Sequence, residues 1–300
     1  MADYKDFWHK SDDGLRLHAR DYGSPNAATT VVCIPGLTRN AADFAELCER
    51  LAPSYRLLAL DLRGRGESEY DPNPMNYHPM TYVADTLKLL DAADVKAAVL
   101  IGTSLGGIVS MVMAALHPQR VQGLILNDVG PEVDPAGVER IKGHISKRVV
   151  LKSWQQVEST MRQIMAGDYP DFSDAEWQRF CRNLFREDDN GMPVPNYDPE
   201  IAVPILKNSV PADVWLAFKA ITAPTLLVHG GLSYVLNDSI VARMRKLMPD
   251  MGYVKLANRG HVPTLTEPES LAEIEPFLAA CRAKTTELKP APNAVAPRSH

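Results

Sequence analysis

A serine stands between glycines in Ile101-Gly102-Thr103-Ser104-Leu105-Gly106-Gly107, and its flanks decide what chemistry it can do. Ahead of it runs the apolar stretch Ala97-Ala98-Val99-Leu100; behind it residues 108–116 are helix-patterned, so the serine sits at a strand-to-helix turn. A residue at such an elbow takes a strained backbone that lifts its side chain clear of the sheet. Gly102 and Gly106 allow the turn because side chains there would clash across it. The helix N-terminus then points its amides at whatever the hydroxyl attacks, stabilising negative charge on a carbonyl oxygen. This is nucleophile geometry. A lone Gly-x-Ser-x-Gly also arises by chance, and a glycine-rich junction can serve packing alone, so the rest of the chain must supply partners.

The elements needed to hold such a serine are legible in order. Residues 7–9 and 15–20 flank the turn signal Asp12-Asp13-Gly14 and read as an antiparallel hairpin. Thr29-Thr30-Val31-Val32-Cys33-Ile34 reads as a buried strand ending in Pro35-Gly36-Leu37-Thr38-Arg39. A helix over 41–51 and a strand over 55–60 follow, then the polar, glycine-rich Asp61-Leu62-Arg63-Gly64-Arg65-Gly66-Glu67-Ser68. A helix over 82–92 leads into the Ser104 strand, and Val121-Gln122-Gly123-Leu124-Ile125-Leu126 is a further strand, closing on Asn127-Asp128-Val129-Gly130-Pro131. Strands this apolar, alternating with helices, predict a parallel sheet covered on both faces.

The alternation lapses over 131–221, which is helix-patterned, aromatic and broken by prolines. An insertion between sheet strands sits over the strand ends where ligands bind, so this stretch is read as a lid. Its aromatics chiefly make a small core of their own, with some facing the serine. The sheet resumes over 224–229, a helix over 239–247 and a strand over 253–256 follow, and Asn258-Arg259-Gly260-His261-Val262-Pro263 precedes a last helix over 270–282. The resulting divisions are a core over 1–130, a lid over 131–221, a second core part over 222–284, and a proline-bearing tail over 285–300 expected to be disordered.

Composition narrows the function. The 300 residues carry a formal net charge of −5, with 23% charged and 45% hydrophobic residues, which suits an ordinary globular enzyme and not a nucleic-acid binder. Arg243, Arg245 and Lys246 read as a solvated helix face. Residues 1–20 lack the apolar core of a signal peptide, and no stretch reaches the roughly 18 apolar residues of a membrane helix. Cys33, Cys48, Cys181 and Cys281 have no metal-ligand spacing and are read as reduced core thiols. The expectation is a cytoplasmic protein without metal or cofactor, with no nucleic-acid or membrane partner; a homodimer stays open.

The order of Pro35-Gly36-Leu37, the Asp61 to Ser68 loop, the Ser104 elbow and Gly260-His261-Val262-Pro263 resembles the α/β-hydrolase superfamily over roughly residues 5–283. The run Leu126-Asn127-Asp128-Val129-Gly130-Pro131-Glu132 further resembles lid-bearing bacterial serine esterases. The resemblance implies an α/β fold: a mostly parallel eight-stranded sheet with helices on both faces and an inserted helical lid. It implies Ser104 as nucleophile, His261 as the base that takes and returns its proton, and the amides of Leu37 and Leu105 as the oxyanion hole. The plainer alternative for His261 is a loop histidine bonded to backbone.

The third member departs from the pattern. Family acids usually follow the strand over 224–229, where this chain reads His229-Gly230-Gly231-Leu232-Ser233-Tyr234-Val235-Leu236-Asn237-Asp238 and puts Tyr234 in place of aspartate. A phenol, neutral near pH 7, cannot balance an imidazolium as a carboxylate does. Some superfamily members carry the acid after the preceding strand, where Asp128 lies, although that turn also occurs in relatives that keep the usual acid. Asp238 bending back, or no acid at all, are the alternatives. Asp61, Arg63, Arg65 and Glu67 are read as bracing the loop beside the site, and His229, His18 and His117 as ordinary structural residues.

Two functions follow. The favoured one is a serine hydrolase cleaving a small, mainly apolar ester, lactone or related acyl substrate through an acyl-enzyme; carbon-carbon hydrolase, perhydrolase and lyase stay open. The contrasting one, prompted by Tyr234, is a ligand-binding protein on a hydrolase scaffold with weakened chemistry.

Overall fold

The computed structural model describes residues 3–145, 151–207 and 214–287. Its strands are β1 (Lys5–Lys10), β2 (Arg16–Tyr22), β3 (Thr30–Ile34), β4 (Arg56–Asp61), β5 (Ala98–Thr103), β6 (Val121–Asn127), β7 (Phe185–Glu187), β8 (Pro193–Pro195), β9 (Thr225–Gly230) and β10 (Gly252–Leu256). Eight of them form one sheet in the order β1-β2-β4-β3-β5-β6-β9-β10. The β1–β2 and β2–β4 pairings are antiparallel and the rest are parallel, so the expected sheet and its leading hairpin are both present.

The helices are α1 (Ala45–Leu51), α2 (Pro79–Ala92), α3 (Leu105–Leu116), α4 (Pro135–Ile145), α5 (Trp154–Met165), α6 (Asp174–Leu184), α7 (Val203–Leu206), α8 (Trp215–Ala220), α9 (Asp238–Leu247) and α10 (Pro268–Glu287). Strand side chains alternate between faces, and the sequence obeys that period on both. Val32, Ile34, Leu58, Leu60 and Leu100 pack towards α2, α3, α8 and α9. Val31, Cys33, Leu57, Ala59, Val99 and Ile101 pack towards α1 and α10. Neither face is wetted, which is why the central strands read as unbroken apolar runs.

The segment between β6 and β9 departs from its sequence reading in two places. It contains a small antiparallel hairpin, β7–β8, hidden in the sequence by Pro193 and Pro195, which sit at the ends of a short strand. Its last helix, α8, belongs to the main body: Trp215 and Phe218 lie in the core shared with α3. At the chain's end, α10 runs to Glu287, into the stretch read as tail; residues 288–300 lie outside the described residues. Among the described residues no helix is long and apolar enough to cross a membrane, and no group of three metal-ligating side chains is gathered.

The loop after β4 is braced by Asp61, Arg63 and Arg65 as expected, whereas Glu67 contributes its amide and leaves its side chain exposed. Arg63, 1% exposed, is held by Asp13, Asp71 and Asp85. Asp61 accepts from the amides of Ala41 and Glu67 and pairs with His18 Nδ1 at 2.7 Å. Arg65, fully buried, donates to the carbonyls of Leu37 and Arg63 and to the Tyr82 hydroxyl. The polar loop therefore fixes the Leu37 loop at the end of β3.

His9 gives the fold a pH dependence. Burial pulls its imidazole down from 6.5 to about 4, so the folded chain resists a proton that the unfolded chain accepts. A depressed histidine costs nothing above its unfolded pKa and destabilises as pH falls towards the folded one. Urea unfolding is expected to lose roughly 3 kcal/mol of stability between pH 6.5 and 4. A His9→Gln chain should show a flatter curve across that window; equal slopes for the two would contradict the assignment.

Candidate active site

Parallel strands deliver their carboxyl ends to one edge, and the site lies there. Register pairs Thr103 of β5 with Asn127 of β6, so the next residues, Ser104 and Asp128, leave the sheet side by side. The Ser104 amide donates to the Asn127 carbonyl, which locks the two exits together. Ser104 has φ +51° and ψ −115°, a strained conformation costing on the order of 1–3 kcal/mol. A Cβ on Gly102 would strike the backbone of Gly106, and one on Gly106 would strike the carbonyl of Ile34. The glycines of the motif are thus required by close backbone approach, as the sequence suggested.

The structure brings Ser104, His261 and Asp128 into one hydrogen-bonded line. His261 Nε2 is 2.9 Å from Ser104 Oγ, and Nδ1 is 2.8 Å from Asp128 Oδ2. The other Asp128 oxygen accepts from the Gly230 amide at 2.8 Å, and the residue is fully buried. Asp128 takes φ +52°, a left-handed turn that aspartate tolerates better than most residues. Asn127 completes the bracing: its Nδ2 donates to Thr103 Oγ1 and to the Pro263 carbonyl, joining both strand ends to the histidine loop.

Tyr234 and Asp238 are elsewhere engaged. The Tyr234 ring meets the His261 ring edge-on, centroids 5.6 Å apart, while Asp128 occupies Nδ1. Burial pushes the Tyr234 phenol up to about 12, so it stays neutral across the working range. The alternative of Asp238 as acid is corrected by its position: it opens α9, is mostly exposed, and pairs with Lys255. Asn237 caps that helix, accepting from the Ile240 amide. His229 is structural, bonded to the Tyr253 hydroxyl and the Leu236 carbonyl.

Sequence reasoning missed the contacts that the segment between α5 and α6 makes with the histidine loop. The Asp168 carbonyl accepts from the Gly260 amide at 2.8 Å, and its buried carboxylate accepts from the His261 amide at 3.3 Å. Tyr169 Oη accepts from the Val262 amide and donates to its carbonyl. Arg140 of α4 pairs with Asp168 and lies 3.9 Å over the Tyr234 ring. No motif announces these partners, because residues some ninety positions apart meet only through the fold.

Ser104 and His261 open into a cavity of about 260 Å³. One wall is the loop from Gly36 to Arg39; much of the rest is aliphatic, including Ile141, Ile164 and Met165 of α4 and α5. Of the aromatics between β6 and β9, Tyr169, Phe180, Phe185 and Tyr197 face this space, while Trp177 packs with Tyr169, Phe172 and Phe180.

Residues 29–268 match the family model described as the alpha/beta hydrolase fold. A 3-hydroxybutyrate-oligomer hydrolase of Cupriavidus necator is 30% identical over 266 residues, spanning 86% of this chain and 90% of that protein. A pimeloyl-[acyl-carrier protein] methyl ester esterase of Pectobacterium atrosepticum is 26% identical, covering 82% and 92%. Among solved structures, an alpha/beta hydrolase from Novosphingobium aromaticivorans superposes with a TM-score of 0.86 at 39% identity, over 93% of this chain and 99% of that one. With the family model spanning most of its length and hydrolases as full-length relatives, the chain belongs to the α/β-hydrolase family, and hydrolysis is the activity this kinship supports.

Proposed function

We propose that the protein is a serine hydrolase that cleaves a small, mainly apolar carboxylic ester through an acyl-enzyme. The observation that carries this reading is the unbroken line from Ser104 Oγ through His261 to a buried carboxylate, with hydrogen-bond distances of 2.9 and 2.8 Å. Ser104 attacks the ester carbonyl as His261 Nε2 takes its proton, and Asp128 stabilises the imidazolium. The tetrahedral oxyanion rests on the amides of Leu37 and Leu105. Leu105 is the first residue of α3, where amides have no partner within the helix. The Gly36 carbonyl is turned towards the Arg39 amide, so the N–H of Leu37 on the same trans peptide points the opposite way. Collapse of the intermediate expels the alcohol, protonated by His261; water activated by the same imidazole then releases the acid.

The relatives named for a hydroxybutyrate oligomer and a methyl ester fit this bond type. Aliphatic walls in a cavity of about 260 Å³ favour a short acyl group. We also read the part of 131–221 that roofs the cavity as a lid whose closure seats the histidine, through Asp168 and Tyr169. The ligand-binding reading rested on Tyr234; with Asp128 at Nδ1 it loses that support. A cytoplasmic location belongs to the same reading.

Three outcomes are expected. A fluorophosphonate should add once to the intact protein and not to Ser104→Ala; an unmodified wild-type mass across a pH series would end the serine-hydrolase reading. On a short p-nitrophenyl ester, Asp128→Asn should lower turnover by about 10⁴, whereas Tyr234→Asp should bring no gain. The reverse pattern would move the acid to position 234. Asp168→Ala should cost about 10- to 100-fold in kcat with little change in KM, and Asp168→Asn, which keeps an acceptor for the His261 amide, should recover most of it. Equal losses in the two would make Asp168 a folding residue only.

A further inference from the structure

Arg39 is the one fixed charge on the wall of the active-site cavity among the described residues, and the mechanism gives it nothing to do. It lies two residues beyond Leu37, on the loop assigned to the oxyanion, and its side chain is 17% exposed. Nε and Nη2 both bond Asp43, and the guanidinium carbon lies 4.4 Å from the centroid of the Phe180 ring. The plane of the fork is therefore fixed before any ligand arrives. Nη1 makes no hydrogen bond among the described residues. Nη1 is not buried: it stays accessible at the cavity wall, free to donate to an arriving acceptor.

A second cavity of about 90 Å³ lies on the far side of the same residue. Arg39, Thr103, Tyr169, Phe180 and Val262 line both spaces, so they form the partition between them. The smaller space is polar where the larger is aliphatic: Asp43, Glu46, Glu176, Arg179 and Asn183 border it. Three of those neighbours are carboxylates, so a substrate that is apolar around its scissile ester and ends in a charged oxygen matches the wall at Arg39 and not the smaller space beyond it.

Resting on the ester-hydrolase reading above, we propose that Arg39 anchors a carboxylate on the substrate. The preferred class is then a short half-ester or hydroxy-acid ester carrying a free carboxylate, not a neutral ester. The planar fork suits a carboxylate, and Asp43 holds that fork in place while offsetting its charge. Asp43 also opposes an arriving anion, so its removal should sharpen the preference for one.

The test compares monoethyl succinate, diethyl succinate and ethyl butyrate on wild type, Arg39→Met, Asp43→Asn and the Arg39→Met, Asp43→Asn double variant. The double variant leaves no unpaired carboxylate behind. Expected is a wild-type preference in kcat/KM for monoethyl succinate over both neutral esters. That ratio should fall about tenfold, through KM, in both chains lacking Arg39, and rise in Asp43→Asn. A wild type that prefers the neutral esters, or a loss of Arg39 that lowers all three esters by one factor, would overturn the proposal. Calorimetric titration of the same three compounds into Ser104→Ala, with and without Arg39→Met, reads the anchor without turnover. If no ester is hydrolysed yet monoethyl succinate binds only where Arg39 is present, the hydrolase reading fails and the anchor stands. If monoethyl succinate binds no better with Arg39 than without it, the anchor fails.

Discussion

The arrangement depends on one carboxylate withdrawn from water at the end of β6. Asp128 is fully buried, and such a group is tolerable only if its oxygens find donors. One meets the Gly230 amide and the other His261 Nδ1, so the charge that holds the imidazole also pins β9 to the end of β6. On the proposed reading, that bond sets the tautomer that leaves Nε2 free to accept the serine proton. The strained Ser104 elbow can then be held in place, because the strand register next to it is fixed by Asn127 and the paired exits of β5 and β6.

The segment between β6 and β9 is tied to this centre more closely than a mere roof. Its Asp168 and Tyr169 contact the backbone on both sides of His261, and Arg140 covers the face of Tyr234. The residue that replaces the family's usual aspartate has thus become packing between a helix of the insertion and the imidazole. Burial keeps its phenol neutral there.

Much of this was legible in the residues. The strands declared themselves by unbroken apolar runs, and the Ser104 elbow by glycines that close approach requires. Asp128 was the favoured acid on sequence but not the sole reading, since a turn of Asn-Asp-x-Gly-Pro composition is also explained by local backbone bonding. What sets it apart from Asp238 is its 2.8 Å approach to His261 Nδ1, and a sequence does not carry distances. The β7–β8 hairpin was obscured by its prolines, and α8 was assigned to the insertion because aromatic helical patterning does not say which core receives it. Asp168, Tyr169 and the open edge of Arg39 depend on meetings between distant segments, and no periodicity announces them.

The most direct measurement is the proton NMR spectrum of the phosphonylated protein, compared for wild type, Asp128→Asn and Tyr234→Phe. A strongly deshielded imidazole Nδ1 proton is expected in wild type and in Tyr234→Phe, absent from Asp128→Asn. A resonance that survives in Asp128→Asn and vanishes in Tyr234→Phe would contradict it.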